Sequence, residues 1–412
     1  MAKRLGIGIV GSGFNAKFHL LGFQGVRDAD VLGVWSPNQK NAADTASIAA
    51  QLGVGDAKPY PSIAAMVEDP AIEAIWVSGP NHARVENVEE MVSAVERGKG
   101  ELLGIACEKP LARNVAEAKQ VLDLVNKVGV PTGYLENQVF APQVEVGRNL
   151  LWARGAKLTG RPYLARAAEE HSGPHAPWFW QGKLQGGGVL NDMMCHSSLL
   201  VQHLLTDPTK PTSTLRPKKI TGHIASLKWS RPEYVKRLSA TMGKDVNYGT
   251  TPSEDFAAVM IEFETEDGQR VLGEATTSWS FVGAGLRLSA ELLGPEYSLQ
   301  WNSLDTGLKL FFSREVQGKA GEDLVEKQNA EVGQMPVVAG EAWAYGYEAE
   351  DRYFVDCFRN QRKPWLTFDD GLRVVKVLMT AYMSAEQGKT LDFPGPGIDN
   401  FVPAVAKGTW QP

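Results

Sequence analysis

The feature that most narrows the fold is a glycine-rich turn set directly after the first apolar run. Leu5-Gly6-Ile7-Gly8-Ile9-Val10 leads at once into Gly11-Ser12-Gly13-Phe14-Asn15-Ala16, a Gly-x-Gly-x-x-Ala element between a strand and a helix. Gly11 permits a tight turn, Gly13 lets the backbone approach a pyrophosphate, and Ala16 leaves room for the helix to pack on the strand. The amides and positive dipole end of such a helix attract phosphate. The turn reads as a dinucleotide site, for NAD or NADP, or as a merely tight structural turn, and its place at the head of an alternating series favours the first.

The same run opens an alternating series. Residues 31–36, 72–78, 102–107 and 131–135 read as further buried strands. Val85, Val88, Met91, Val92 and Val95 recur at helical spacing and stop at Gly98; Val115, Ala118, Val121, Leu122, Val125 and Val128 do the same and stop at Gly129. Near-continuously apolar strands separated by helices predict a doubly wound parallel sheet, here a Rossmann domain over residues 1–140. About 20 residues beyond the glycine turn, an acidic residue would hold the ribose 2′-hydroxyl. Ser36 stands there, followed by Pro37, Asn38 and Lys40. Serine suits a hydroxyl or a phosphate neighbour, and Lys40 is either a partner for a 2′-phosphate or a solvated surface charge. Both cofactors stay open, with the lean toward NAD.

After about residue 140 the rhythm changes. A glycine run, Gly186-Gly187-Gly188, precedes a helix over 191–205, and strands are expected at 220–229, 256–265, 270–281, 286–293 and 298–301. Close turns such as Glu266-Asp267-Gly268 suit antiparallel pairing. Residues 313–340 are polar and read as a surface loop, and two helices, 342–360 and 369–387, close the chain. A second domain over 141–412, built on a mainly antiparallel open sheet, follows. Its uncovered apolar face predicts a homodimer or homotetramer.

Composition removes other classes. The 412 residues carry a net charge of −6 with no basic tract, which excludes an electrostatic nucleic-acid footprint. No apolar run reaches the ~18–20 residues of a membrane span. Three scattered cysteines and a start without a signal-type apolar stretch predict a reducing cytoplasm.

Cys107-Glu108-Lys109-Pro110-Leu111 at the end of an apolar strand resembles the glucose–fructose oxidoreductase/inositol dehydrogenase/rhizopine catabolism (Gfo/Idh/MocA) family. Pro80-Asn81-His82 resembles the family's element beside the cofactor, and Gly186 to His196 its Gly-Gly-x-x-x-Asp-x-x-x-His block. The resemblance implies a cofactor set of Gly11, Gly13, Phe14, Asn15, Ser36, Lys40, Pro80, Asn81, Glu108, Lys109 and Asn137. It departs from the family where Arg84 stands at a position often occupied by histidine, and Glu136 to Pro142 matches only loosely.

Asp192 and His196 are four apart and share one helical face. Oxidising a secondary alcohol needs a base for the hydroxyl proton and a cation for the developing alkoxide. His196 is assigned as that base, Lys109 as the cation, and Asp192 as the group gripping a neighbouring hydroxyl. Taken alone, Asp192 and His196 also read as a helix-start carboxylate and a satisfied core histidine. The pair could chelate, but no third ligand stands out, so no metal is expected. Cys107 and Cys195 read as small buried hydrophobes. His171, His175, Trp178 and Trp180 fit the wall of a sugar-binding cleft, or core. Arg84, Arg166 and Lys183 read as ordinary surface charges, or as partners of an anionic substituent. The expected function is an NAD(P)-dependent oxidoreductase of a sugar, cyclitol or glycoside. A hydrolase that oxidises, eliminates, hydrates and reduces in the same site is the alternative, and a non-catalytic sugar or nucleotide sensor the second.

Overall fold

The alternation in the first third folds as a six-stranded, all-parallel sheet in a computed structural model that describes residues 3–244, 246–312 and 333–412. Its strands are β1 (Leu5–Val10), β2 (Ala29–Trp35), β3 (Lys58–Pro59), β4 (Ala74–Val77), β5 (Gly104–Glu108) and β6 (Thr132–Leu135), in the order β3-β2-β1-β4-β5-β6. Every residue of β1, β4 and β5 is buried, which explains why these strands read as unbroken apolar runs. Helices Phe14–Phe23, Gln39–Gln51, Arg84–Glu96 and Val115–Val128 cover the sheet. The last starts at Asn114, whose side chain accepts from the Glu117 amide at 3.0 Å, and stops at Gly129 in the left-handed region. Strand order reverses between β1 and β4, which opens a crevice at their carboxyl ends.

Contacts divide the chain into two units: Met1–Pro142 with Tyr345–Val375, and Gln143–Ala344 with Lys376–Pro412. In the first, helix Tyr347–Arg359 packs on Phe14–Phe23. Gly22 lies at that approach: a Cβ there would stand 3.1 Å from the Tyr347 carbonyl carbon.

The second unit is built on β7 (Leu164–Glu170), β8 (Arg216–Ala225), β9 (Phe256–Glu264), β10 (Arg270–Ser278), β11 (Arg287–Gly294) and β12 (Tyr297–Asn302). A separate ribbon pairs β13 (Lys309–Phe312) with β14 (Gly333–Pro336), and β15 (Leu391–Asp392) closes the edge of the main sheet. The seven strands run β12-β11-β7-β10-β9-β8-β15, all antiparallel except β7 beside β10. The fold is thus a doubly wound parallel sheet joined in sequence to a mainly antiparallel one, as expected. Helix Val189–Leu205, buried along its whole length, packs on β7, β9 and β10. Gly273 admits it: a Cβ there would lie 2.8 Å from Val201 Cγ2.

Several expected elements differ. β7 and helix Pro232–Thr241 were not anticipated. The strand expected at 220–229 runs Arg216–Ala225, and the one expected to reach 281 stops at Ser278. The loop expected over 313–340 contains β14, and its residues 313–332 lie outside the described residues. The helix expected at 342–360 is broken into Glu341–Ala344 and Tyr347–Arg359 by Gly346, at φ 97°. A Cβ at Gly346 would fall 2.1 Å from the Asn137 carbonyl oxygen, so only glycine fits this turn.

Candidate active site

The proposed cofactor residues of the first unit all lie at or after the carboxyl ends of its parallel strands. Gly11, Gly13, Phe14 and Asn15 follow β1, Ser36 and Lys40 follow β2, Pro80 and Asn81 follow β4, Glu108 closes β5 just before Lys109, and Asn137 follows β6. Gly11 takes φ 125°, and a Cβ there would meet the Ser78 carbonyl carbon at 2.9 Å. The Cβ position of Gly13 is open, and Gly13 begins helix Phe14–Phe23 with no side-chain cap. The Ser12 hydroxyl donates to Ser36 Oγ at 2.9 Å, bringing the first two loops together. Lys40 is exposed and paired with Asp44 at 2.7 Å. The buried Asn137 amide donates to the Tyr345 carbonyl at 2.8 Å.

Beneath this edge lies a buried ionic cluster that sequence reasoning missed. His19 Nδ1 meets Asp351 Oδ1 at 2.8 Å and Nε2 meets Glu108 Oε1 at 3.0 Å. Trp76 Nε1 donates to the same Asp351 oxygen at 2.9 Å, and the Lys109 amide donates to Glu108 Oε2 at 3.0 Å. Burial pushes the imidazole down, but Asp351 and Glu108 together outweigh it and hold His19 well above its ordinary value. Burial pushes Glu108 up, yet His19, Lys109 and Arg84 hold it below the usual range. Burial pushes the Glu350 carboxyl well above its ordinary value. Both Glu108 oxygens therefore face protein partners. His19 was legible only as a polar residue between Phe18 and Leu20.

Arg84 corrects an expectation. It is 3% exposed, not a surface charge, and its guanidinium donates to the carbonyls of Gly79, Glu108 and Lys109. Arg166 and Lys183 are exposed as expected, Arg166 bridging Glu274 at 2.6 Å and Glu291 at 3.2 Å. Cys107 and Cys195 are buried, and burial pushes the Cys107 thiol up to about 11, far from a reactive thiolate.

In the second unit the glycine run builds the start of the helix that carries Asp192 and His196. Glu254 Oε1 accepts from the Gly188 amide at 3.0 Å and the Leu190 amide at 3.1 Å, while Tyr382 donates to the same oxygen. A Cβ at Gly188 would lie 2.5 Å from Glu254 Oε2, and one at Gly187 2.0 Å from the Tyr382 hydroxyl. The glycines thus admit a carboxylate and a phenol as a helix cap borrowed from distant elements. Burial pushes Glu254 up to about 7.

Asp192 and His196 are both buried one turn apart. Asp192 Oδ2 accepts from Trp279 Nε1 at 3.2 Å, and His196 Nε2 lies 3.7 Å from Glu169 Oε2 on β7. Neither Glu169 nor Trp279 stood out in the sequence, since each sits in or beside a strand whose partner is far away in the chain. Trp180 is buried with its ring centroid 5.2 Å from that of Trp279 and 5.3 Å from that of Trp229, so it belongs to an aromatic cluster leading to Asp192. His171 is buried, its Nδ1 accepting from the Gly173 amide at 3.0 Å. Trp178 is half-buried and stacks on Phe179 at 3.9 Å, and His175 is exposed.

A cavity of about 790 Å³ in the first unit is lined by Gln24, Arg27, Glu348, Arg352 and Tyr353. It lies by the loop entering β2, at the amino end of the sheet, where α/β folds do not place their dinucleotide.

Residues 5–134 match the oxidoreductase family with an NAD-binding Rossmann fold, and residues 155–300 match the GFO/IDH/MocA C-terminal domain. The chain belongs to the GFO/IDH/MocA family. Within this family it is 27% identical over 202 residues to 1,5-anhydro-D-fructose reductase of Ensifer adhaerens, covering 48% of this chain and 56% of that protein. It is 27% identical over 313 residues to levoglucosan dehydrogenase of Pseudarthrobacter phenanthrenivorans, covering 73% and 74%. The chain thus spans little more than half of the first relative and three quarters of the second. Among solved structures, GenD2 from gentamicin A biosynthesis in complex with NAD superposes with a TM-score of 0.74 at 24% identity, covering 95% of this chain and 97% of that one. Levoglucosan dehydrogenase in complex with NADH gives 0.68 at 20% identity, covering 95% and 100%.

The residues present fit the family's dinucleotide. The φ 125° turn at Gly11, the open cradle at Gly13 and the uncapped helix start supply donors of the right kind for a pyrophosphate.

Proposed function

We propose that the chain is a nicotinamide-dependent dehydrogenase, NAD(H) first, acting on a secondary hydroxyl of a sugar or cyclitol. The observation that carries this reading is the buried Asp192–His196 pair, held on one helix between Trp279 and Glu169. The bound nicotinamide would accept or return a hydride. Gly11, Gly13, Phe14, Asn15, Ser36, Pro80, Asn81 and Asn137 would hold the dinucleotide. The Lys40 ammonium is paired with Asp44 at 2.7 Å, which offsets the charge a 2′-phosphate would need and supports NAD over NADP.

His196 would take the hydroxyl proton, its charge balanced by Glu169. Lys109 would stabilise the alkoxide, and Asp192 would orient an adjacent hydroxyl. The aromatic segment of Trp178 and Trp180, with His171 and His175, would face the sugar.

The test is absorbance at 340 nm with NAD and a panel of levoglucosan, myo-inositol, D-xylose and D-glucose. Lys109→Met is expected to lower kcat by ~10²–10³ while NADH binding persists. Turnover unchanged in Lys109→Met would end the assignment. With a p-nitrophenyl glycoside added to the panel, nitrophenol released without net NADH would replace it with the hydrolytic reading.

A further inference from the structure

We propose that Arg84 is a positioning residue for Lys109, stapling the loop after β4 to the end of β5. This rests on the role given to Lys109 above. The Arg84 guanidinium reaches the Gly79 carbonyl through Nε at 3.4 Å, the Glu108 carbonyl through Nη1, and the Lys109 carbonyl through Nη2 at 2.9 Å. Only a planar fork of five N–H donors can span three carbonyls on two loops; an imidazole has at most two donors and an ammonium is a single point. Residue 109 is thereby held on both sides of its backbone. Its carbonyl is gripped by Arg84, and its amide donates to Glu108 Oε2, whose other oxygen meets His19.

A buried guanidinium is expensive unless its donors are satisfied. Here strand-end carbonyls satisfy them, so the positive charge is fixed where two functional loops leave the sheet. Gly79 immediately precedes Pro80 and Asn81, so the same staple ties the proposed cofactor loop to the proposed catalytic strand end. Small displacements of a reacting group lower rates far more than they lower binding.

The experiment combines Arg84→Met and Arg84→Lys with Lys109→Met, using NADH as the binding probe. Arg84→Met is expected to lower kcat/KM by about 10–100-fold. NADH affinity should fall by less than kcat/KM does, and adding Arg84→Met to Lys109→Met should cost less than about twofold more. Amide hydrogen exchange, read without any sugar, is expected to rise in residues 107–111 and 79–84 together. Arg84→Lys, which keeps the charge, should restore part of both signals and serves if Arg84→Met does not fold. Losses that multiply in the double variant, or exchange unchanged in 107–111, would overturn the positioning role alone. Full turnover in Lys109→Met by itself would overturn the assignment of Lys109 and this role with it.

Discussion

In the first unit Lys109 is set through its backbone: three carbonyls converge on Arg84, and a buried His19–Glu108–Asp351 cluster holds the amide side. In the second, a whole helix is set at its N-terminus by Glu254 and Tyr382, and Asp192 and His196 are then gripped side chain by side chain. The first arrangement places charge beneath a parallel sheet, where strand ends already gather loops. The second has no such edge and uses a capped helix as its ruler. The contrast shows that burial of ionisable groups supports a site in two ways, by ion pairing where several charges meet and by neutralisation where one carboxyl stands among amides.

The largest expected effect tests the ion-pairing half. His19→Leu leaves Glu108 and Asp351 in a dry interior without their shared partner and is expected to destabilise the first unit by about 3–5 kcal/mol. Denaturant unfolding followed by tryptophan fluorescence would measure it, with the NADH-shifted transition taken as the first unit's. Adding Glu108→Gln and Asp351→Asn should recover much of the loss, because the buried charge then disappears. A change under about 1 kcal/mol would show that the cluster is not ionised and that only one kind of support exists.

The next effect tests neutralisation. Glu254 is raised from an ordinary 4.5 to about 7 by burial. The folded protein therefore binds this proton more tightly than the unfolded chain. Its contribution is fully present below about pH 4.5 and is lost as pH rises to about 7, a swing of roughly 3 kcal/mol. Glu254→Gln, which cannot titrate, should flatten the stability profile of the second unit across that window. An unchanged slope would mean that the helix cap is ionised throughout.

What was legible in the sequence depended on range. The Gly11–Gly13 turn, the strand β1 and the helix ending at Gly129 are local, and their signals are periodicity and left-handed glycines; each was read within a residue or two. The alternating β9, β10 and β11 were read because one face is buried. β7 was not, since its pattern Leu164-Ala-Arg-Ala-Ala-Glu-Glu170 is short of large apolar residues and gains its place only by pairing with β10 and β11. The amphipathic face of Tyr347–Arg359 announces burial but not which sheet it covers. At the proposed site, Lys109, Asp192 and His196 stood in recognisable blocks. Their supports did not: Arg84, His19, Glu169, Glu254 and Trp279 are single polar or aromatic residues whose partners, apart from Gly79 five positions before Arg84, lie 24 to 332 positions away. No spacing rule reaches that far, and a buried arginine is indistinguishable in one dimension from a solvated one.

The smallest effect asks how far the second unit depends on direct gripping. Trp279 touches Asp192 through one N–H at 3.2 Å while its ring packs near Trp180. Trp279→Phe keeps most of the packing and removes only the donor. If Asp192 orients the sugar, the loss is about 1 kcal/mol, a roughly fivefold rise in KM with kcat nearly constant. A fall in kcat at constant KM would instead place the indole in the path of the proton, because an interaction felt only in the transition state moves kcat. No change in either would mean that the helix cap alone, through Glu254 and Tyr382, is enough to aim Asp192. The second unit would then resemble the first in fixing its site through the backbone.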